Sequence, residues 1–199
     1  KSGAEVYKLI FDSNNPLILS ANGTIFDQSK KGIIPGLLER WNAERKQLQE
    51  RMRKSDNENE RAFWDRRQLV KKINLNSLYG AILNPGSRFF DIRIGQSVTL
   101  TGRSITRHMG SKTNEIITGQ YNYKGDSIIY GDTDSVYFTA FPSLTEEIES
   151  GEINWNNDSA ITLYDQIADA VNDSFPEYMK ESHNVLEERG LLIKAGREL

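Results

Sequence analysis

Asp132 and Asp134 stand two positions apart in the run Gly131-Asp132-Thr133-Asp134-Ser135, between Ile128-Ile129-Tyr130 and Val136-Tyr137-Phe138. The arms are β-branched and aromatic and a glycine precedes the acidic residues, so the spacing predicts a tight β-hairpin with the pair at its tip. Carboxylates gathered at one exposed turn offer the hard oxygens a divalent cation takes, on a scaffold that keeps them from relaxing apart. Acidic residues also occupy turns because they cap and solvate them. The pair therefore gains its meaning from the rest of the chain.

Upstream, Lys71-Lys72-Ile73-Asn74-Leu75-Asn76-Ser77-Leu78-Tyr79-Gly80 has a helical pattern. At about 100° per residue, Lys72, Asn76 and Tyr79 share one face. Ile73, Val70, Ser77 and Leu69 form a separate stripe, expected to meet a neighbouring helix. A lysine can neutralise a phosphate, an asparagine can place hydrogen bonds, and a tyrosine can pack on a base or sugar with its hydroxyl in water. An ordinary solvated face of an amphipathic helix reads the same way by itself. Arg45 adds a third element: on the line Trp41, Arg45, Leu48, Met52 a guanidinium interrupts an apolar stripe. That placement is costly unless an anion meets it; snorkelling, or an ion pair with Asp65 or Glu60, is the bland account.

The elements that must position these groups are readable in outline. Glu5 to Phe11 and Leu17 to Phe26 suggest strands, with Asn22-Gly23 as a hairpin turn. Pro35 suits a helix start, and Leu37, Leu38, Trp41, Leu48 and Met52 mark its apolar stripe to about Lys54. After a polar break at 55–59, a second helix is expected from about Glu60 to Ala81, with Phe63, Leu69, Val70 and Ile73 on its inner side. A long helix follows between about Asp91 and Gly119, weakened by Gly95, Gly102 and Gly110. Beyond the acidic hairpin come a short acidic helix, another at Ile161 to Met179, and a strand at Leu191 to Ala195.

Lys-x-x-x-Asn-Ser-x-Tyr-Gly at 72–80, followed by Tyr-Gly-Asp-Thr-Asp-Ser at 130–135, resembles the second and third polymerase motifs of family B DNA polymerases. The flanks are most similar to those of the replicative polymerases of tailed bacteriophages. Ser20-Ala21-Asn22-Gly23-Thr24-Ile25-Phe26 resembles the hairpin leading into the fingers, Gly32-Ile33-Ile34-Pro35 the start of the first fingers helix, and Arg88-Phe89-Phe90-Asp91 the stretch after the second motif. The likeness covers most of 18–140 and, more weakly, the tail from about Leu191.

The resemblance implies an α+β fold: a two-helix antiparallel fingers hairpin inserted in a partial palm with a small antiparallel β-sheet and packed helices. The corresponding domains are a palm segment at 1–31, fingers at 32–85 and further palm at 86–199. It implies two-metal nucleotidyl transfer of a dNMP to a primer 3′-OH, with two magnesium ions (manganese as a substitute). Asp134 would be the principal metal ligand and Asp132 its support. Lys72 and Arg45 would neutralise the β- and γ-phosphates of the dNTP, Lys72 helping to protonate the leaving group, while Asn76 positions and Tyr79 checks the nascent base pair. Closure of the two helices would bring these groups to the metals. Where the family usually has a lysine four positions after the arginine, this chain has Gln49, so Lys46 or Arg51 substitutes or the clamp is one cation weaker.

Asp-x-x-Ser-Leu-Tyr-Pro-Ser, the family's first motif, does not occur, nor does a Lys-Lys-Arg-Tyr-like segment. The expectation is a fragment, excised or a natural split subunit, that needs the remaining exonuclease, palm and thumb segments and cannot polymerise alone. Primer-template DNA, dNTP and a sliding clamp are the implied partners, in the cytoplasm of an infected bacterial host if the gene is a phage's. Two rivals are an Asp-x-Asp nucleotide-sugar glycosyltransferase, which leaves the Lys72–Asn76–Tyr79 face unexplained, and a non-catalytic nucleic-acid-binding module, which makes the aspartates dispensable.

Composition adds bounds. The 199 residues carry a net charge of −3 and no cysteine, which excludes disulfides and thiolate metal sites. His108 and His183 accompany no motif and are expected to be packing or surface residues. Charge is segregated: 30–72 holds 13 basic and 7 acidic residues, a local +6, whereas 140–187 sets 11 acidic residues against Lys180. Cationic surface is needed only where phosphates pass, so the basic part fits the proposed fingers and the acidic part a solvated surface. No apolar run approaches the ~18 residues of a membrane span.

Overall fold

Two helices are set up by their ends. Helix α2 (Ile33–Lys54) begins after Gly32 and takes Pro35 into its first turn, where a missing N–H costs nothing. Helix α3 (Glu58–Leu83) begins at Asn57, whose side chain accepts from the Asn59 N–H. The computed structural model describes residues 2–197; Lys1, Glu198 and Leu199, the outermost residues of the expected palm segments, lie outside them. Within it the chain forms two compact units, Asp27–Gln96 and Lys1–Phe26 with Ser97–Leu199.

In the smaller unit α2 and α3 pair along two rows with alternating steps of four and three. Ile34, Leu38, Trp41, Arg45, Leu48 and Met52 on α2, and Trp64, Gln68, Lys71, Leu75, Leu78 and Ile82 on α3, are all at least half-buried. Bonds across the seam fix an antiparallel register. Arg45 Nε donates to Gln68 Oε1 at 3.1 Å, Lys71 bridges to Glu44, and the Arg51 guanidinium lies 5.1 Å from the Trp64 ring centroid.

This corrects the expected inner side of α3. Phe63, Leu69, Val70 and Ile73 are all exposed, on the face turned away from the seam. The true inner row contains Gln68 and Lys71, so a count of apolar residues points to the wrong side. Their partners Arg45 and Glu44 on α2 supply what an apolar neighbour otherwise would.

The larger unit opens with helix where a strand was expected. Residues 5–11 lie in α1 (Gly3–Tyr7) and the π-helical stretch Lys8–Asp12 that continues it. The cause is a capping box: the Ser2 hydroxyl accepts from the Glu5 N–H at 3.3 Å, and the Glu5 carboxylate accepts from the Ser2 N–H at 2.6 Å. A hairpin of β1 (Leu17–Leu19) and β2 (Ile25–Asp27) follows, with Gly23 at φ +84° in its turn.

Helix α4 (Ile92–Thr118) runs unbroken through its glycines. A Cβ at Gly110 would come within 2.7 Å of the Tyr123 ring, so close packing rather than helix weakness accounts for that glycine. Strands β3 (Ile128–Asp132) and β4 (Ser135–Phe138) pair antiparallel, and α5 (Thr145–Glu149) follows a short 3₁₀ turn at Phe141–Leu144.

Helix α6 (Asn157–His183) is the keel of this unit. It buries Ile167, Val171, Phe175, Met179 and His183 at four-residue intervals and ends on Asn184 in the left-handed region. Ile167, Val171 and Phe175 form the core with Ala140, against which Ile105, Met109 and Phe138 pack.

Both histidines are buried packing residues. His108 stacks on Tyr178 at 4.0 Å and reaches Tyr121 and Ser174 with its two ring nitrogens, each at 2.9 Å. His183 bridges the Leu19 carbonyl and the Ser104 hydroxyl.

The strand expected at Leu191 to Ala195 is also corrected. After α7 (Glu187–Gly190) the chain turns and runs on without a strand partner among the described residues. The Asn172 amide takes the partner's place: its Nδ2 donates to the Ala195 carbonyl at 3.0 Å and its Oδ1 accepts from the Ala195 N–H at 2.7 Å. The fold is therefore α+β, mainly helical, with two small antiparallel sheets.

Candidate active site

Strands β3 and β4 pair Asp132 with Ser135, so Thr133 and Asp134 alone make the turn. Thr133 takes φ +39°, which a two-residue hairpin of this hand requires and a β-branched residue resists. Helix α4 holds the turn from behind: the buried Thr106 hydroxyl donates to the Thr133 carbonyl at 2.9 Å. The Thr133 hydroxyl donates to Asp132 Oδ1 at 3.0 Å. Just before the turn, Tyr123 lies so close to Gly131 that a Cβ there would meet its hydroxyl at 2.3 Å, which is why the acidic run is preceded by glycine.

Asp132 and Asp134 are both exposed and line an open cleft of about 700 Å³. Its wall also holds Arg103 and Arg107 from α4, Lys194 from the tail, Thr106 and Tyr123. Two carboxylates beside three cations make a surface suited to a polyanion that arrives with a metal ion of its own. As a donor set the turn is hard oxygen, right for a magnesium-class ion, which takes six oxygens. Two carboxylates cannot complete such a shell, and no group of three or more acidic or histidine side chains able to hold a metal occurs among the described residues. The turn fits the ion as one side of a shell completed by water, phosphate or other oxygens.

The remaining expected site residues lie in the other unit, on α2 and α3. Lys72 and Asn76 are exposed, and Tyr79 is half-buried with its hydroxyl 3.4 Å from the Gly95 carbonyl. They stand beside the α2–α3 seam rather than within it. Arg45 is on the seam, as its position in the apolar stripe required. Its Nε donates to neither Asp65 nor Glu60 but to the Gln68 amide, which in turn donates to Asp65 at 2.8 Å. Gln49 is half-buried, whereas Lys46 and Arg51 are exposed. Sequence reasoning missed Arg103, Arg107 and Lys194. The signal for the first two was their spacing of four on a helix; Lys194 was hidden in the stretch read as a strand.

The family model described as DNA polymerase family B matches residues 7–173. The chain belongs to that family. The DNA polymerase delta catalytic subunit of Dictyostelium discoideum is 38% identical over 133 residues, which are 64% of this chain and 12% of that protein. The DNA polymerase of Paramecium bursaria Chlorella virus NY2A is 36% identical over 110 residues, 53% of this chain and 11% of that one. The DNA-directed DNA polymerase of Escherichia phage RB69 is 35% identical over 74 residues, 37% and 8% respectively. This family B chain thus spans only 8–12% of the length of these relatives.

Proposed function

We propose that this chain supplies the fingers and part of the palm for template-directed DNA synthesis, in which a primer 3′-oxygen attacks the α-phosphorus of a dNTP and pyrophosphate leaves. The observation that carries the reading is the Asp132–Asp134 turn, braced by α4, on a cleft that also holds Arg103, Arg107 and Lys194. In this reading the fingers correspond to 32–85 within the Asp27–Gln96 unit, and the palm to 1–31 and 86–199.

Asp134 is the principal ligand for magnesium and Asp132 the second, its Oδ1 already oriented by the Thr133 hydroxyl. Magnesium bound there supplies charge stabilisation on phosphoryl oxygens and a more acidic primer hydroxyl. Arg103, Arg107 and Lys194 offset phosphate charge along the cleft wall. Lys72 and Arg45 bind the triphosphate, Asn76 orients it, and Tyr79 packs near the new base pair. Arg45 has its Nε engaged by Gln68, which fixes the plane of a guanidinium whose terminal nitrogens can still meet phosphate.

Primer-template DNA, dNTP, the exonuclease, thumb and remaining palm segments, and a sliding clamp are the partners. Among the described residues no helix is long and apolar enough to cross a membrane. A nucleotide-sugar glycosyltransferase would give the three cleft cations and the Lys72 face no common task.

The test is made in the complete polymerase that carries this segment. Asp134→Asn should lower single-turnover primer extension on the order of 10³-fold while primer-template affinity stays within about threefold. Lys72→Ala should act mainly on the use of dNTP. Extension at the parental rate by the Asp134→Asn enzyme would remove the reading.

A further inference from the structure

Thr133 lies between the two carboxylates with φ +39°, a conformation that persists only where its surroundings over-determine it. Two of the bonds that hold it are local: its own hydroxyl to Asp132 Oδ1, and the Ser135 hydroxyl to the Asp132 carbonyl at 3.3 Å. The third comes from outside the hairpin. Thr106 on α4 is 8% exposed, and its single hydroxyl proton has two acceptors in reach, the Gly102 carbonyl at 3.2 Å and the Thr133 carbonyl at 2.9 Å. Gly102 lies four residues back on the same helix, so its carbonyl has the helical N–H available. The shorter bond, to the turn, is the one with a task.

We propose that Thr106 is a positioning residue for the Asp132–Asp134 turn, its buried hydroxyl holding the Thr133 carbonyl and so fixing the left-handed residue between the two carboxylates. It touches neither substrate nor metal. It acts through Thr133, whose hydroxyl in turn orients Asp132. Thr133 is exposed, so water can replace a lost Thr106 hydroxyl. The turn would still form without it, but its tip would no longer be tied to a helix. The proposal rests on reading the turn as metal-binding.

The experiment uses the complete polymerase carrying this segment, with Thr106→Val, which keeps the shape and removes the donor, and Thr106→Ser, which keeps the donor. Amide exchange is followed at Thr133 to Ser135 without metal, and manganese binding is measured separately by electron paramagnetic resonance. Thr106→Val should speed exchange at the turn roughly five- to tenfold and raise the manganese concentration for half occupancy by a similar factor. Exchange in α6 should stay unchanged, and Thr106→Ser should remain within about twofold of the parent in both measurements.

Unchanged turn exchange and manganese binding in Thr106→Val would overturn the proposal. So would a serine variant as impaired as the valine one, or faster exchange spreading through α6, which is loss of packing rather than of position. Asp134→Asn, assayed alongside, keeps the two readings apart. If that enzyme still extends primers, the proposed function fails, while turn exchange continues to judge Thr106.

Discussion

The two units hold themselves together differently. The larger one has an apolar centre, Ala140, Ile167, Val171 and Phe175, and hangs its acidic turn on a helix packed against it. The smaller one buries one large side chain, Ile82, among its described helical residues, and keeps its register with Arg45–Gln68, Glu44–Lys71 and Arg51 on Trp64. Apolar burial is non-directional and strong, whereas polar pairs are weak and specific. Asp132 and Asp134, with Arg103, Arg107 and Lys194, therefore stand on a scaffold built for rigidity, and Arg45 and Lys72 on one built for register.

The sharpest way to break that contrast is at the core. Phe175 is 1% exposed, and Phe175→Ala should destabilise the larger unit by about 3–5 kcal/mol, read by amide exchange along α6. Exchange in α3 should hardly change. A uniform rise across both units would erase the distinction.

Acid separates them next. Burial first, and the Lys112 charge second, push the His108 imidazole down to about 4 against an ordinary 6.5, with Glu115 opposing. Above pH 6.5 the ring is neutral folded or unfolded. As pH falls from 6.5 towards 4 only the unfolded chain takes up the proton, so the larger unit loses stability through that window, by up to about 2 kcal/mol after solvent screening. The smaller unit has no histidine. Its perturbed acids are shifted the other way and include Asp91, held down to about 2 by hydrogen bonds from Arg93, and Glu44, lowered by Lys71. Their stabilisation is present above the ordinary carboxylate range and is lost only below it. Urea unfolding at pH 7 and pH 5 should therefore weaken the larger unit selectively, and His108→Gln should flatten the difference.

Smaller effects probe the seam. Gln68→Leu removes the acceptor for Arg45 and should cost about 1 kcal/mol, measurable in the same unfolding experiment. Ile73→Thr, on a residue 54% exposed, should stay within about 0.5 kcal/mol. If Ile73→Thr proved the more damaging of the two, the inner face of α3 would be misplaced.

Much of this was legible in the sequence because the decisive signals were local. Asn57, Pro35 and the polar break announce the helix ends, and the acidic hairpin announces itself through two arms and a glycine. Most of what escaped has one cause: a partner distant in sequence. Gln68 and Lys71 look like surface residues until Arg45 and Glu44 are set opposite them. Leu191 to Ala195 looks like a strand until the Asn172 amide takes the place of a neighbour. The Ser2–Glu5 capping box was local and readable, and it overrode the strand-like composition of 5–11. At the site, the turn was visible but Thr106 was not, because a lone threonine in a helix gives no sign of the carbonyl it will meet.

The pairs along the α2–α3 seam have a mechanical corollary. Two greasy helices can creep past one another by a turn with little resistance, but these are pinned at three heights by mismatched chemistries that tolerate no exchange of partners. Over that stretch the hairpin is a stiff lever, and a push on the loop at Ser55–Asn57 travels to the level of Lys71 without being lost to slippage.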